Sequence, residues 1–208
     1  MDSDNRSDLQ AQLRQAGTTY PRVINLPGRV RERVNHVIRE TALAAIPEYD
    51  PGTPVIEAQS GYKTPLNQKG ILSLRFEDYF YPEQAAHGVT GVSSVTIDLR
   101  TGHVYDFDDL FHAYSNYQAA LTRIIQAQIA NGQITMLKPF GGVGTDESYY
   151  LTPDSLVIYY QPYVYTPGYA GVLEFTVPYQ QIMEYIDPRG PIGRLVYYGQ
   201  YQVGSTRR

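Results

Sequence analysis

The chain has 208 residues, seventeen of them basic and twenty-one acidic, for a net charge of −4 with no block of like charge. That balance argues against nucleic acid, which needs a clustered basic face, and against electrostatic anchoring to a membrane. The absence of cysteine excludes disulfides, thiolate metal sites and cysteine nucleophiles, and no run approaches the ~18 apolar residues of a membrane span.

Residues 1–19 are polar, without the basic start and apolar segment of a signal peptide, and are expected to form a flexible, frayed or loosely helical segment. Such a start fits a mature terminus or a cut in a longer chain, and Met1 decides neither. Tyr20-Pro21-Arg22-Val23-Ile24 reads as a short edge strand, since Pro21 removes a ladder donor. A helix is predicted over about 29–45. Val30, Val34, Val37, Ile38 and Ala42 recur there at helical spacing, with Arg31, Glu32, Asn35 and Arg39 facing outward. Residues 47–54 form a loop, and Val55 to Tyr62 a strand closed by a turn at Thr64-Pro65-Leu66-Asn67.

From Ile71 the alternation is clear. Leu72, Leu74, Phe76 and Phe80 share one face, and Ser73, Arg75, Glu77, Tyr79 and Tyr81 the other. After a turn carrying His87, Val95, Ile97 and Leu99 alternate against Ser94, Thr96 and Asp98, and Thr101-Gly102 closes a hairpin into His103-Val104-Tyr105. A second helix is predicted over about 116–130, ended by Asn131-Gly132. Strands follow at Tyr149–Leu151, Ser155–Tyr160 and Val172–Val177. Pro178 opens a short helix through Tyr185, and Arg194 to Val203 reads as a final strand or extended tail.

Hairpins rather than repeated βαβ crossovers make this an α+β chain of antiparallel sheet with two main helices packed on it. The expected organisation is a single domain over 20–187, with position 65 as the alternative division into two subdomains, and a C-terminal extension over 188–208.

His87, between small residues in Ala85-Ala86-His87-Gly88, is a ligand contact or a general base beside Glu83 or Asp78, or else a loop lock bonded to a backbone group. His36, His103 and His112 share no metal-ligand spacing with it. Asp106 and Asp108 read as caps of the turn at residues 108–111. The glycines of Phe140-Gly141-Gly142-Val143-Gly144 lack the lysine of a phosphate loop and read as a connector. No GxSxG elbow is present. Twelve of the twenty tyrosines fall between Tyr149 and Tyr201. They supply either a contact surface, since tyrosine gives large area at low entropic loss, or simply strands that favour aromatics.

Four pieces in order carry a family likeness: Tyr20-Pro21 leading to Val34-Asn35-His36-Val37-Ile38; Leu72-Ser73-Leu74 through Tyr79, Tyr81 and Ala86-His87-Gly88; Ile97-Asp98-Leu99-Arg100-Thr101-Gly102 to Asp109-Leu110-Phe111; and Tyr150-Leu151-Thr152 with Leu156 to Tyr160, then Gln161-Pro162-Tyr163-Val164-Tyr165-Thr166-Pro167 to Ala170-Gly171. Over residues 20 to about 187 the chain resembles the extracytoplasmic domain of RsiV-type anti-sigma factors, which also occurs beside the catalytic domain of PdaC-type peptidoglycan deacetylases. It departs from that family at Gln84-Ala85, where glycines are common.

The resemblance implies a secreted or surface-tethered bacterial α+β domain with no catalytic residues, cofactor or metal. Its membrane anchor would lie upstream of the residues given. In the anti-sigma factors the domain binds lysozyme and exposes the anchor region to regulated proteolysis; in the deacetylases it is accessory. The partner expected here is therefore a protein such as lysozyme, or peptidoglycan. The contact surface expected for it combines the loop from Tyr81 to Gly88 with the tyrosines from Tyr159 to Tyr169; Tyr79, Tyr81, His87, Tyr163, Tyr165 and Tyr169 are its named residues. The rival readings are a structural envelope protein without a small ligand, and a wall-active hydrolase using His87 and a carboxylate.

Overall fold

A computed structural model describes residues 19–45, 53, 55–132 and 134–197. The expected frayed start, most of the 47–54 loop and the tail beyond 197 lie outside them.

Two three-stranded antiparallel meanders make up the sheet structure: β1 (Val55–Gln68), β2 (Ile71–Pro82) and β3 (Val89–Asp98) in the first, and β4 (Tyr149–Leu151), β5 (Ser155–Tyr160) and β6 (Leu173–Pro178) in the second. Helix α1 (Gly28–Ala44) lies on the first sheet and α2 (Tyr117–Asn131) on the second. The α+β class with two main helices thus holds. Val34, Ile38 and Ala42 of α1 pack against Leu72, Leu74, Phe76, Val95 and Ile97. Full burial of such side chains contributes about 1.5–3 kcal/mol each. A second core gathers Leu121 and Ile125 of α2 with Leu156, Ile158, Phe175 and Val177.

The face of sheet 1 opposite α1 meets the edge of sheet 2, and there the polar residues of the alternation are buried. The Ser73 hydroxyl bonds Thr96 Oγ1 at 3.0 Å and accepts from the Leu151 amide at 3.0 Å. Ser94 donates to the Tyr149 carbonyl and accepts from the Tyr159 hydroxyl, the latter at 2.9 Å. Serines of one sheet thereby satisfy edge groups of strand β4 that would otherwise be unpaired.

Several expectations need correction. β1 does not end at Tyr62 but runs on through Pro65, with a register shift between Lys63 and Leu66; the turn falls instead at Lys69-Gly70, both at positive φ. Proline is tolerated because β1 is an edge strand whose outer N–H groups need no ladder partner. Tyr20 to Ile24 forms no strand. The backbone of Val23 is paired instead by a side chain, its N–H donating to Asn35 Oδ1 at 2.8 Å and its carbonyl accepting from Asn35 Nδ2 at 2.9 Å, so Asn35 does not simply face solvent. Only a single 3-10 turn, Tyr179–Gln181, follows Pro178. Arg194 belongs not to a strand but to a short helix, α3 (Pro191–Val196), with proline in its first turn and Ile192, Arg194 and Leu195 buried.

Asp108 does not cap its turn. The 3-10 segment Phe107–Leu110 is closed by Asp106 and Asp109, the Asp106 N–H donating to Asp109 Oδ2 at 2.9 Å, whereas Asp108 accepts from the Tyr117 hydroxyl. Burial, with the Asp108 carboxylate beside it, pushes the Tyr117 hydroxyl well above the ordinary range.

Candidate functional site

Two loops meet at the end of the molecule where β2 and β5 finish. In the first, the Ala85 N–H bonds the Pro82 carbonyl at 3.2 Å and Gln84 sits at φ 63. That left-handed conformation costs a side-chain-bearing residue about 1–2 kcal/mol and glycine almost nothing, and it falls where the resembling family favours glycine. In the second loop Tyr163, at φ 69, donates its N–H to the Thr166 carbonyl at 2.9 Å.

The loops join through His87 and Tyr163, separated by 76 residues in sequence. His87 Nδ1 lies 3.0 Å from the Gly88 carbonyl, and Nε2 lies 3.0 Å from the Tyr163 hydroxyl. The network assigns the proton to Nδ1, which donates to the carbonyl, leaving Nε2 to accept from the tyrosine. The two rings stack with centroids 6.2 Å apart at 24°. Glycines make both approaches possible: a Cβ at Gly88 would overlap the Tyr79 ring, and one at Gly168 the Tyr163 ring.

The named tyrosines separate into classes. Tyr163 is 52% exposed and Tyr169 85%. Tyr79 is half-buried over Gly88, and Tyr81 is half-buried on the same face of β2. Tyr165 is turned inward, edge-on to Tyr160 at 4.9 Å and Phe140 at 5.4 Å, with Lys138 Nζ 5.2 Å from its ring. It anchors the loop, as its carbonyl also accepts from the Leu137 N–H at 2.8 Å. Tyr159, at the start of the expected surface, is buried, as are Tyr149 and Tyr179. The tyrosine-rich half therefore feeds both the core and the loop surface.

The carboxylates proposed as partners of His87 lie elsewhere. Asp78 shares the α1 face of β2 with Phe76 and Phe80 and is 1% exposed. It is hydrogen-bonded to Ser60, while its Oδ2 has no partner among the described residues. Burial pushes this carboxyl up to about 6, against the Ser60 hydrogen bond and with Glu77 adding to the rise. Glu83 is exposed, and among the described residues neither acid bonds His87. No group of three or more His, Cys, Asp or Glu side chains there is placed to hold a metal ion. No described helix is long and apolar enough to cross a membrane.

Gln161 is a site residue that sequence reasoning missed. Its side chain pairs the outer edge of β3, Nε2 donating to the Val92 carbonyl at 2.5 Å and Oε1 accepting from the Val92 N–H at 3.1 Å. It ties the second loop to the first sheet. Only its position just past a strand end could have flagged it.

Residues 108–180 match the model of a family described as a protein of unknown function (DUF3298). The match runs from the Asp108 turn through α2 and the second sheet, and leaves β1, β2 and β3 outside. No curated protein matches the chain. In fold the chain is similar to the crystal structure of a member of the DUF3298 family from Bacteroides fragilis NCTC 9343, at 21% identity over 81% of this chain and 68% of that one, with a TM-score of 0.53. A DUF3298 family protein from Pseudomonas aeruginosa PAO1 aligns at 18% identity over 76% of this chain and 68% of its own, with a TM-score of 0.49.

Proposed function

We propose that this chain is a non-catalytic, extracytoplasmic recognition domain of a bacterial envelope protein. It binds a lysozyme-like protein or a cell-wall glycan through the paired loops 82–88 and 161–170. The observation that carries the reading is the His87–Tyr163 contact. It brings together the second and fourth pieces of the sequence likeness to the anti-sigma domain and fixes an exposed aromatic beside a histidine. Tyr163 and Tyr169 offer area with little side-chain entropy to lose, and Val164, 37% exposed, adds an apolar contact between them. Tyr165 and Gln161 hold the backbone beneath, so binding pays less for ordering the loop.

Calorimetric titration with chicken-type lysozyme, and separately with soluble peptidoglycan fragments, tests this. Micromolar or tighter binding to either is expected, weakened at least about tenfold by Tyr163→Ala, the loss usual for a central aromatic anchor. Unchanged affinity in Tyr163→Ala and Tyr169→Ala would remove the loop surface. Silence toward both partners would leave the structural envelope protein as the better reading.

A further inference from the structure

The face of sheet 1 turned away from α1 carries a groove that extends beyond the loop surface and shares only Tyr79 with it. Three successive cross-strand pairs line it: Gln59 opposite Tyr79, Gly61 opposite Glu77, and Lys63 opposite Arg75. Their spacing of two residues puts them on one face. The groove holds about 290 Å³, at the small end of the range for small-molecule sites.

Gly61 forms its floor. A Cβ built there meets nothing within 4 Å, and the residue is not among those at positive φ. Neither crowding nor backbone conformation requires glycine, yet glycine inside a strand forgoes packing and conformational stability. Such a position marks a bulge, a tight bend, or the close approach of a ligand or another backbone; the register runs unbroken through Gly61, with shifts only before Glu57 and after Lys63, which leaves an approach.

Arg75 forms the wall. Its side chain is 8% exposed, with Nε donating to Glu174 Oε1 at 3.0 Å and Nη1 to Glu77 Oε2 at 2.6 Å. No acceptor among the described residues takes Nη2. The Glu174 carboxylate also accepts from the Tyr150 hydroxyl at 3.2 Å. The fork is therefore fixed before any ligand arrives. The charges at the groove leave no net positive field: Lys63 and Arg75 stand against Glu77 and Glu174, and Glu57, bonded to Gln59 Nε2 at 2.6 Å, adds a third carboxylate. Directed donors and acceptors without a net positive field suit a neutral polyhydroxylated ligand better than a phosphate or carboxylate, which would face these carboxylates. Tyr79 adds an aromatic flank for the C–H face of a sugar ring.

We infer that this groove is a binding site for a neutral saccharide. Gln59, Arg75 and Glu77 bond ring hydroxyls, Tyr79 carries the apolar face, and the vacant side of Gly61 admits the ring.

Amide NMR titration of the labelled protein with chitotetraose, maltotetraose and inorganic phosphate tests it. Saturable shifts confined to residues 59–63 and 75–79 are expected with at least one saccharide, and the one that binds identifies the linkage accepted. Gly61→Val, whose Cβ would meet nothing within 4 Å, should weaken binding at least about tenfold while the melting temperature holds or rises. His87→Ala and Tyr163→Ala should leave it intact, which separates this site from the loop surface. Absence of saturable shifts with both sugars, the same shifts with phosphate instead, or full binding by Gly61→Val would each overturn the inference.

Discussion

Two arginines are buried to the same degree and used in opposite ways. Arg194 on α3 donates through Nη1 to Asp98 Oδ2 at 2.8 Å and the Tyr105 hydroxyl at 3.1 Å, and through Nη2 to the Lys69 carbonyl at 2.7 Å. Lys69 answers by donating to the Leu195 carbonyl at 2.7 Å. Asp98 is only 6% exposed and takes a second guanidinium from Arg100 at 2.8 Å. Arg75, at 8%, is paired instead to Glu77 and Glu174, whose side chains are 48% and 34% exposed. Desolvation works against the Arg75 charge, and the hydrogen bonds and charges of the two glutamates outweigh it, raising its pKa. A buried cation whose counterions are also buried holds elements together. One whose counterions reach water can present its remaining donors to a ligand.

The largest effect expected from this contrast is on the closed network. Arg194→Met removes the cation and leaves Asp98, Tyr105 and the Lys69 carbonyl short of donors at a pair whose two charged side chains are each only 6% exposed. Breaking a buried pair in this way costs about 3–5 kcal/mol, and Arg100 still beside Asp98 argues for the lower end. Urea denaturation at neutral pH measures it. A loss under about 1 kcal/mol would show that α3 is held by its apolar residues alone, and the distinction between the two arginines would fail.

Much of this frame could be read from sequence, but not which polar residues were buried. β4 and β5 fall where turn residues and alternation placed them, and both main helices lie within two residues of their predicted ends. The alternation also sorted Ser73, Arg75 and Glu77 onto one face of β2. It could not show that sheet 2 covers Ser73 and Arg75 while Glu77 stays at a rim. Period-2 reasoning gives a side chain's direction, and tertiary packing decides what it meets. The same limit applies to Asn35 and Gln161, amides that stand in for neighbouring strands, and to α3, which stands where a strand or extended tail was expected from Arg194. In the candidate site His87 and Tyr163 were each legible as loop residues. Their contact across 76 residues was not.

Asp78 and Asp98 sharpen the comparison, because burial acts on both and only one has cations. Around Asp98 the hydrogen bonds from Arg100 and the charge of Arg194 overcome desolvation and hold the carboxyl far below the ordinary range. Its contribution to stability is present above the unfolded value near 3.8 and is lost as pH falls toward the folded one. Asp78 runs the other way, from 3.8 to about 6. Its neutral form is favoured by folding, so its contribution is full below 3.8 and is lost as pH rises through 6. Asp78→Asn should therefore stabilise the protein at pH 7 by about 3 kcal/mol, with the gain vanishing near pH 3.5. Denaturation midpoints across pH 3.5–8 check this. A gain independent of pH would mean that the amide packs better rather than that a buried charge was removed.

The smallest effect belongs to the open cluster, and its smallness is the point. Glu174 is one-third exposed, and its pairing with Arg75 is shared with Glu77, so Glu174→Gln should lower stability by less than about 1 kcal/mol, with the loss shrinking as salt is added. The amide oxygen can take the place of Oε1 and accept from Arg75 Nε, while the amide NH2 in the place of Oε2 donates to the Tyr150 hydroxyl oxygen, so the fork keeps its geometry. What changes is charge, because the groove loses one of its three carboxylates. If it is matched to a neutral ligand, the variant should hold the saccharide within a few-fold of the wild type and still leave inorganic phosphate unbound. Denaturation and the amide titration on the same sample read both quantities. A loss of several kcal/mol would place Arg75 with Arg194 as a structural clasp, and the difference between a closed and an open buried cation would then disappear.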